Sequence, residues 1–236
     1  MSEGLYDAIP AGYYHRAMLN GMSIQRFWHK NKFGEVIDRV KLTGNESVLD
    51  VGCGSGTLLS LLPKKYGLAV GLDISERQID YARKNFDCIM WMVGRIEKLP
   101  FKTEKFDYVF LIEVLEHIPL EQVKSTLESL NGIMKKNGRL IITTPNNHSL
   151  WPLMEWFWNK VSEVKYEEQH VTAFNRRGTM KLLEETGFRV DNFRTIFVLS
   201  PFIALLSQTL AERVLKIEKR IFRRLGAIQI IDAVKT

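Results

Sequence analysis

Asp50-Val51-Gly52-Cys53-Gly54-Ser55-Gly56 sets three glycines at alternate positions, straight after the strand-like run Ser47 to Val51 and just before Leu58 and Leu59 begin a helical pattern. A side chain at such a turn would block both the tight bend and the approach of a ligand to the backbone. The helix start that follows offers unpaired N–H groups that suit a carboxylate or phosphate. The next strand candidate, Leu68 to Asp73, ends on a carboxylate that can accept hydrogen bonds from both hydroxyls of a ribose. Strand, glycine turn, helix and Asp73 together point to a ligand containing adenosine. The dinucleotide pattern Gly-x-Gly-x-x-Gly fails, because its last glycine would fall on Thr57, and this argues against a dehydrogenase.

Three histidines stand where a general base would be useful. His117 follows Glu113 and Glu116, His148 follows Pro145-Asn146-Asn147, and His170 closes Glu167-Glu168-Gln169-His170. An imidazole titrates near neutral pH and can take a hydroxyl proton, although each could equally be an ordinary packing or surface histidine. Glu113, Glu116 and His117 also have the chemistry to gather a divalent cation. Glu113 is assigned instead to the cofactor pocket, and no metal is assigned.

These residues must be positioned by a regular alternation. Strand candidates at Ser47–Val51, Leu68–Asp73, Ile89–Val93, Phe106–Ile112 and Arg139–Thr144 are separated by helical patterns. The pattern after Asp73 opens with Ser75 and Gln78 at capping-box spacing, and that after Ile112 runs from Pro119 to Met134. Such a rhythm predicts an α/β fold, an open and mostly parallel sheet with helices on both faces, whose ligands bind beyond the carboxyl ends of the strands. Before it, residues 1–45 read as a helical cap with Tyr6, Tyr13, Tyr14, Phe27, Trp28 and Phe33. After it come an aromatic segment (Trp151 to Val161), a helix at Arg176–Glu185, a strand from Phe188, a long helical stretch from Ser200 to Leu225 and a last strand at Ile228–Val234. The reading is one domain over 1–236: cap 1–45, cofactor core 46–146, and substrate- or membrane-facing additions with the last two strands over 147–236.

From about Ser47 to Asn146 the chain resembles the class I S-adenosylmethionine-dependent methyltransferase superfamily. The likeness rests on the glycine turn, on Gly94-Arg95-Ile96-Glu97-Lys98-Leu99-Pro100-Phe101, on Phe106 to Glu113 followed by Glu116-His117, and on Asn137 to Asn146. It implies a Rossmann-like seven-stranded fold with an antiparallel last strand, and S-adenosyl-L-methionine as cofactor. On this resemblance Asp50, Gly52, Cys53, Gly54 and Gly56 face the methionine part, Asp73 the ribose, Ile74 and Ile96 the adenine, and Glu113 lines the pocket. Arg95 stands where the family usually has an aspartate toward the adenine amino group. The Glu113/Glu116/His117 cluster is similar to one in ubiquinone-pathway O-methyltransferases, where a divalent metal is implicated.

Both regions that would choose the methyl acceptor are aromatic. Tyr13, Tyr14, Trp28 and His29 are candidates for a lid, and Trp151 and Trp156, with Phe157 and Trp158, for an apolar acceptor pocket, a headgroup contact or a small secondary core. Leu210, Val214, Ile217, Ile221 and Leu225 fall on one helical face among Arg213, Lys216, Lys219, Arg220, Arg223 and Arg224. That helix suits an anionic membrane surface, or the sheet, or a dimer contact. The expected substrate is a small hydrophobic molecule of lipid, quinone or isoprenoid type. An RNA or protein substrate, or an inactive adenosine-binding protein, are the alternatives; a formal charge of +6 permits nucleic acid, but no RNA-binding module is visible. Composition, 45% apolar and 25% charged, is that of a folded soluble protein, with Cys53 and Cys88 in no disulfide pattern. The expectation is a cytoplasmic protein, peripheral on the membrane at most, and a monomer or homodimer.

Overall fold

The computed structural model describes residues 9–161 and 170–236, with backbone alone for 157–161. Tyr6, the Phe157 and Trp158 side chains and Glu167 to Gln169 lie outside the described residues. Two helices, α1 (Tyr13–Asn20) and α2 (Ser23–Ile37), precede β1 (Ser47–Val51), α3 (Thr57–Leu61), β2 (Leu68–Asp73), α4 (Glu76–Asn85), β3 (Met90–Val93) and β4 (Phe106–Ile112). A single 3-10 turn at Leu115–His117 leads to α5 (Leu120–Ile133) and β5 (Met134–Pro145). Then come α6 (Trp151–Val161), α7 (Arg176–Glu185), β6 (Phe188–Ile196), α8 (Ser200–Ile203), α9 (Gln208–Ile221) and β7 (Ile228–Lys235).

The seven strands form one sheet in the order β3-β2-β1-β4-β5-β7-β6. β1 to β5 all run parallel, while β7 is antiparallel to both β5 and β6. Strand order reverses at β1, between β2 and β4, so a crevice opens beyond their carboxyl ends. Val48, Leu49, Val70, Val109, Phe110, Leu140 and Ile141 are fully buried, the near-continuous apolar reading expected of strands covered on both faces. A separate cluster joins Trp28, Trp151 and Phe197 with Ile228 and Ile230, fastening the N-terminal and late helices to one end of the sheet.

Two local expectations are corrected. Ser75 and Gln78 form no capping box: the Ser75 N–H donates to Asp73 Oδ1 at 2.8 Å, while Gln78 accepts from the Gly12 N–H at 3.1 Å and donates to the carbonyls of Ile9 and Pro10. Tertiary partners at the site outcompete the local pattern. Nor is Ser200 to Leu225 one helix. The buried Glu218 carboxylate accepts the N–H groups of Leu199 (2.6 Å) and Ser200 (2.9 Å) and so caps the start of α8, which runs for a single turn, and Ser207 caps a separate start at α9.

Candidate functional site

A chamber occupies the crevice beyond β1, β2 and β4. Its floor carries Asp50, Gly52, Cys53, Gly54, Asp73, Ile74, Arg95, Ile96 and Glu113, all of which the sequence assigned to cofactor. Gly56, assigned with them, is not in the lining; its left-handed backbone packs under Trp91, whose ring a Cβ would meet at 2.4 Å. Gly54 is also left-handed, and nothing lies within 4 Å of where its Cβ would be, so the space over it is open. The turn is held from across the crevice: the Gly54 N–H donates to Asp73 Oδ2 at 2.7 Å. Arg95 stands 3.5 Å from Glu97, and both line the wall, so a carboxylate accompanies the arginine where the family usually has an aspartate.

The roof and acceptor end are built from α2, the turn after β4, Trp151 and the stretch at His170. Tyr14, Trp28, His29 and Trp151 line the chamber as the sequence suggested. Tyr13 does not: it packs edge-on against Tyr14. Trp156 also stays out, 55% exposed on the outer side of α6, because the helix presents Trp151 and Met154 inward instead. His117 and His170 meet at the chamber with ring centroids 5.2 Å apart. The backbone explains the meeting, since the Glu116 carbonyl accepts the N–H groups of Val171 (2.9 Å) and Thr172 (3.1 Å). His148 is corrected: it is exposed in the turn after β5, where Asn146 accepts its N–H and anchors the turn on Gly226. That geometry leaves the imidazole in solvent, away from the chamber.

Five lining side chains carry a buried polar atom that no group among the described residues satisfies: Asp50 Oδ1, Ser75 Oγ, His29 Nδ1, Glu116 Oε1 and Trp151 Nε1. Buried polar atoms are almost always hydrogen-bonded, so orphans concentrated on one cavity mark where a ligand belongs. Burial, with Asp73 nearby, pushes Asp50 up to about 8, which makes it a demanding partner for a ligand amine. A glycine turn with open space above it, an orphaned carboxylate and Asp73 at the end of β2 fit a cofactor with an amino-acid end and a ribose. Burial, then the Glu113 charge, raises Glu116 to about 7. Burial, then the Lys32 charge, drops His29 far below the ordinary histidine value, so it is neutral. His170 goes the other way: burial would depress it, but a 2.6 Å hydrogen bond to Glu155 and the charges of Glu116, Glu155 and Glu113 outweigh this and raise it.

Sequence reading passed over Lys32, which lines the chamber, and Glu155, which holds His170. Lys32 lies one turn after Trp28 and His29 on the same face of α2, and Glu155 one turn after Trp151, so each could have been found by extending a chosen face by one turn. Lys32 pairs with Glu113, whose left-handed backbone (φ 56°) turns its side chain to the chamber. With its side chain only 3% exposed, the Lys32 ammonium depends on that carboxylate. Glu113→Gln is therefore expected to lower the stability of the cofactor-free protein by about 3 kcal/mol, because it strands a buried charge. Thermal melting checks this; an unchanged midpoint would mean that Lys32 has another acceptor.

Because Glu113 is taken by Lys32, the metal-like group differs from the one read in the sequence. Glu116, His117 and His170 each bring a ligand atom within 4.8 Å of the others. A carboxylate and two imidazoles suit a divalent transition metal.

Comparison with known proteins agrees with this geometry. A methyltransferase-domain family matches residues 22–192. The chain is 28% identical over 168 residues to a ubiquinone biosynthesis O-methyltransferase of Coxiella burnetii, covering 65% of this chain and 71% of that one. It is 24% identical over 219 residues to a demethylmenaquinone methyltransferase of Lactiplantibacillus plantarum, covering 81% and 89%. Among solved structures, an S-adenosylmethionine-dependent methyltransferase of Thermotoga maritima superposes with a TM-score of 0.67 at 20% identity, covering 94% of each chain. A magnesium protoporphyrin IX methyltransferase of Synechocystis with bound S-adenosylhomocysteine superposes at 0.63 and 18% identity, over 91% of this chain and 86% of that one.

Proposed function

Since the chain belongs to the methyltransferase-domain family, we propose that its chamber takes a small hydrophobic acceptor of lipid, quinone or isoprenoid type, with His170 as the general base. The family makes the chain an S-adenosylmethionine-dependent methyltransferase acting on a small molecule. The acceptor end of the chamber supports a hydrophobic substrate. Two buried indoles, Trp28 and Trp151, with centroids 6.0 Å apart, wall a space onto which His29 Nδ1, Glu116 Oε1 and Trp151 Nε1 open without a partner among the described residues. Apolar walls with a few convergent polar atoms are what a hydrophobic ligand with one reactive polar group requires. The names of the ubiquinone and demethylmenaquinone relatives point the same way.

S-adenosylmethionine supplies, when bound, a methyl group on a sulfonium that needs no further activation. The chain's share is to align an acceptor and keep water out. The Trp28 and Trp151 rings exclude water and hold the acceptor's apolar body. His170 is fixed through Nδ1 by Glu155 at 2.6 Å, so Nε2 is the nitrogen through which the ring exchanges a proton with the acceptor. Glu155 plays the orienting part, much as a carboxylate does behind a histidine base in other enzymes.

The experiment is transfer of a labelled methyl group from S-adenosylmethionine to quinol, isoprenoid and lipid acceptors, with water-soluble amines and phenols of similar reactive groups alongside. The expected result is a KM at least ten-fold lower for the apolar members, and a KM rise of the same order for Trp151→Ala, from roughly 1.5–3 kcal/mol of lost apolar contact. Equal KM values across the two sets would overturn the hydrophobic acceptor.

A further inference from the structure

We propose that α9 and the groove between it and β6 form a docking surface for a bilayer rich in anionic phospholipid. The face of α9 buried on the protein consists of Ala211, Leu215 and Glu218. The apolar face that the sequence pattern marks therefore points the other way: Leu210, Ile217 and Ile221 are exposed, and Leu225 beyond the helix is too. Leu205 and Leu206, just before the helix, extend this strip, and Leu206 is 90% exposed. Clustered aliphatic side chains in water mark a contact surface rather than ordinary scatter.

The charge beside the strip names the partner. Arg194 on β6 and Lys216, Lys219, Arg220 and Arg223 line the adjoining groove. The carboxylates within reach are already taken. Glu35 accepts from Arg39, Arg194 and Lys219, and Asp191 is shared by Arg139 and Arg189. Lys216, Arg220 and Arg223 pair with no carboxylate among the described residues. A second copy of the chain on this face would set cation against cation, which costs association. Single-stranded nucleic acid would use aromatic stacking platforms, whereas this strip is aliphatic. An anionic bilayer satisfies both features at once, taking aliphatic side chains into the acyl boundary while headgroup phosphates sit in the basic groove. No helix among the described residues is long and apolar enough to cross a membrane, so the contact is one of surface.

The same helix is tied to the roof of the chamber. Gln208 Nε2 donates to the Ser23 carbonyl at 2.8 Å, and Lys30 pairs with Glu212 at 3.6 Å, joining the start of α9 to α2. Docking therefore acts on a helix coupled to Trp28, His29 and Lys32. This inference stands apart from the choice of acceptor and can fail without it.

The test is flotation of the full chain with vesicles of phosphatidylcholine alone and of phosphatidylcholine with about 30% phosphatidylglycerol, at about 0.15 M salt. Binding to the anionic vesicles only is expected. The triple variant Lys216→Gln, Arg220→Gln, Arg223→Gln should bind on the order of 100-fold more weakly, since each basic residue near a charged surface is worth about five-fold. Ile217→Ser with Ile221→Ser should remove the part of binding that survives high salt. S-adenosylhomocysteine titration of each variant confirms that it is folded. Wild-type protein that stays with the soluble fraction, or variants that float as wild type does, would overturn the proposal. So would a dimer that the Ile217→Ser, Ile221→Ser variant dissociates, or salt-sensitive retention on RNA without flotation.

Discussion

Asp73→Ala is expected to weaken binding of S-adenosylhomocysteine by on the order of 100-fold or more, from the loss of charge-assisted hydrogen bonds worth roughly 1.5–3 kcal/mol each. Two effects combine at this one carboxylate. As the acidic end of β2 it is placed for the ribose, and it is also the clamp that holds the glycine turn, accepting the Gly54 N–H at 2.7 Å and the Ser75 N–H at 2.8 Å. Burial pushes its pKa up, while backbone N–H groups of Ser75, Gly54 and Ile74 pull it back toward ionisation. Removing it leaves those donors without an acceptor inside a binding cleft and releases a turn whose glycine sits at φ +50°. Asp73→Asn separates the contributions. It retains one acceptor oxygen but turns an NH2 group toward a backbone N–H, so it should fall between wild type and alanine. Calorimetry reads all three; an unchanged affinity for the alanine variant would place the ribose elsewhere.

The frame of the site was legible in the sequence because it is written in local terms. A glycine turn between a buried strand and a helix has few other uses, and Leu68–Asp73 and Phe106–Ile112 are found as strands at the residues where their apolar runs begin and end. What the sequence could not show is set by contacts between distant segments. Ser75 and Gln78 have capping-box spacing, yet Asp73 and the chain near Gly12 claim them first. Nothing near His148 or His170 says which one faces the chamber; that is decided by the Glu116 carbonyl, which captures the N–H groups of Val171 and Thr172. The period of α9 identifies an apolar face but not its direction. The inner side is chosen by Glu218, which reaches back to the N–H groups before α8 and needs to be buried to do so. Lys32 looks like one more surface lysine until Glu113 is seen beside it.

His170→Ala should lower kcat by roughly 10²–10⁴, the usual worth of a positioned general base, while leaving the affinity for S-adenosylhomocysteine close to that of wild type. The pH profile distinguishes this from mere damage to the pocket. A base works only when deprotonated, so the rate must climb as pH rises through the pKa of His170. Because the Glu155 hydrogen bond and three nearby carboxylates raise that pKa, the climb in the wild type should lie above the ordinary histidine value of 6.5. Glu155→Gln deletes the hydrogen-bonded charge and with it part of the upward shift, so the climb should move toward acid even as the maximum rate falls through looser positioning of the ring. A profile that stays in place in the Glu155→Gln enzyme would remove the dyad from the mechanism. The nearness of Glu116 and His117 to His170 adds a second readout, since a ring that ligates a divalent ion cannot also accept a proton at the same nitrogen. Turnover that survives exhaustive chelation with its pH climb unchanged is the result expected of a base; turnover lost to chelation and restored by a divalent metal would make His170 a ligand instead.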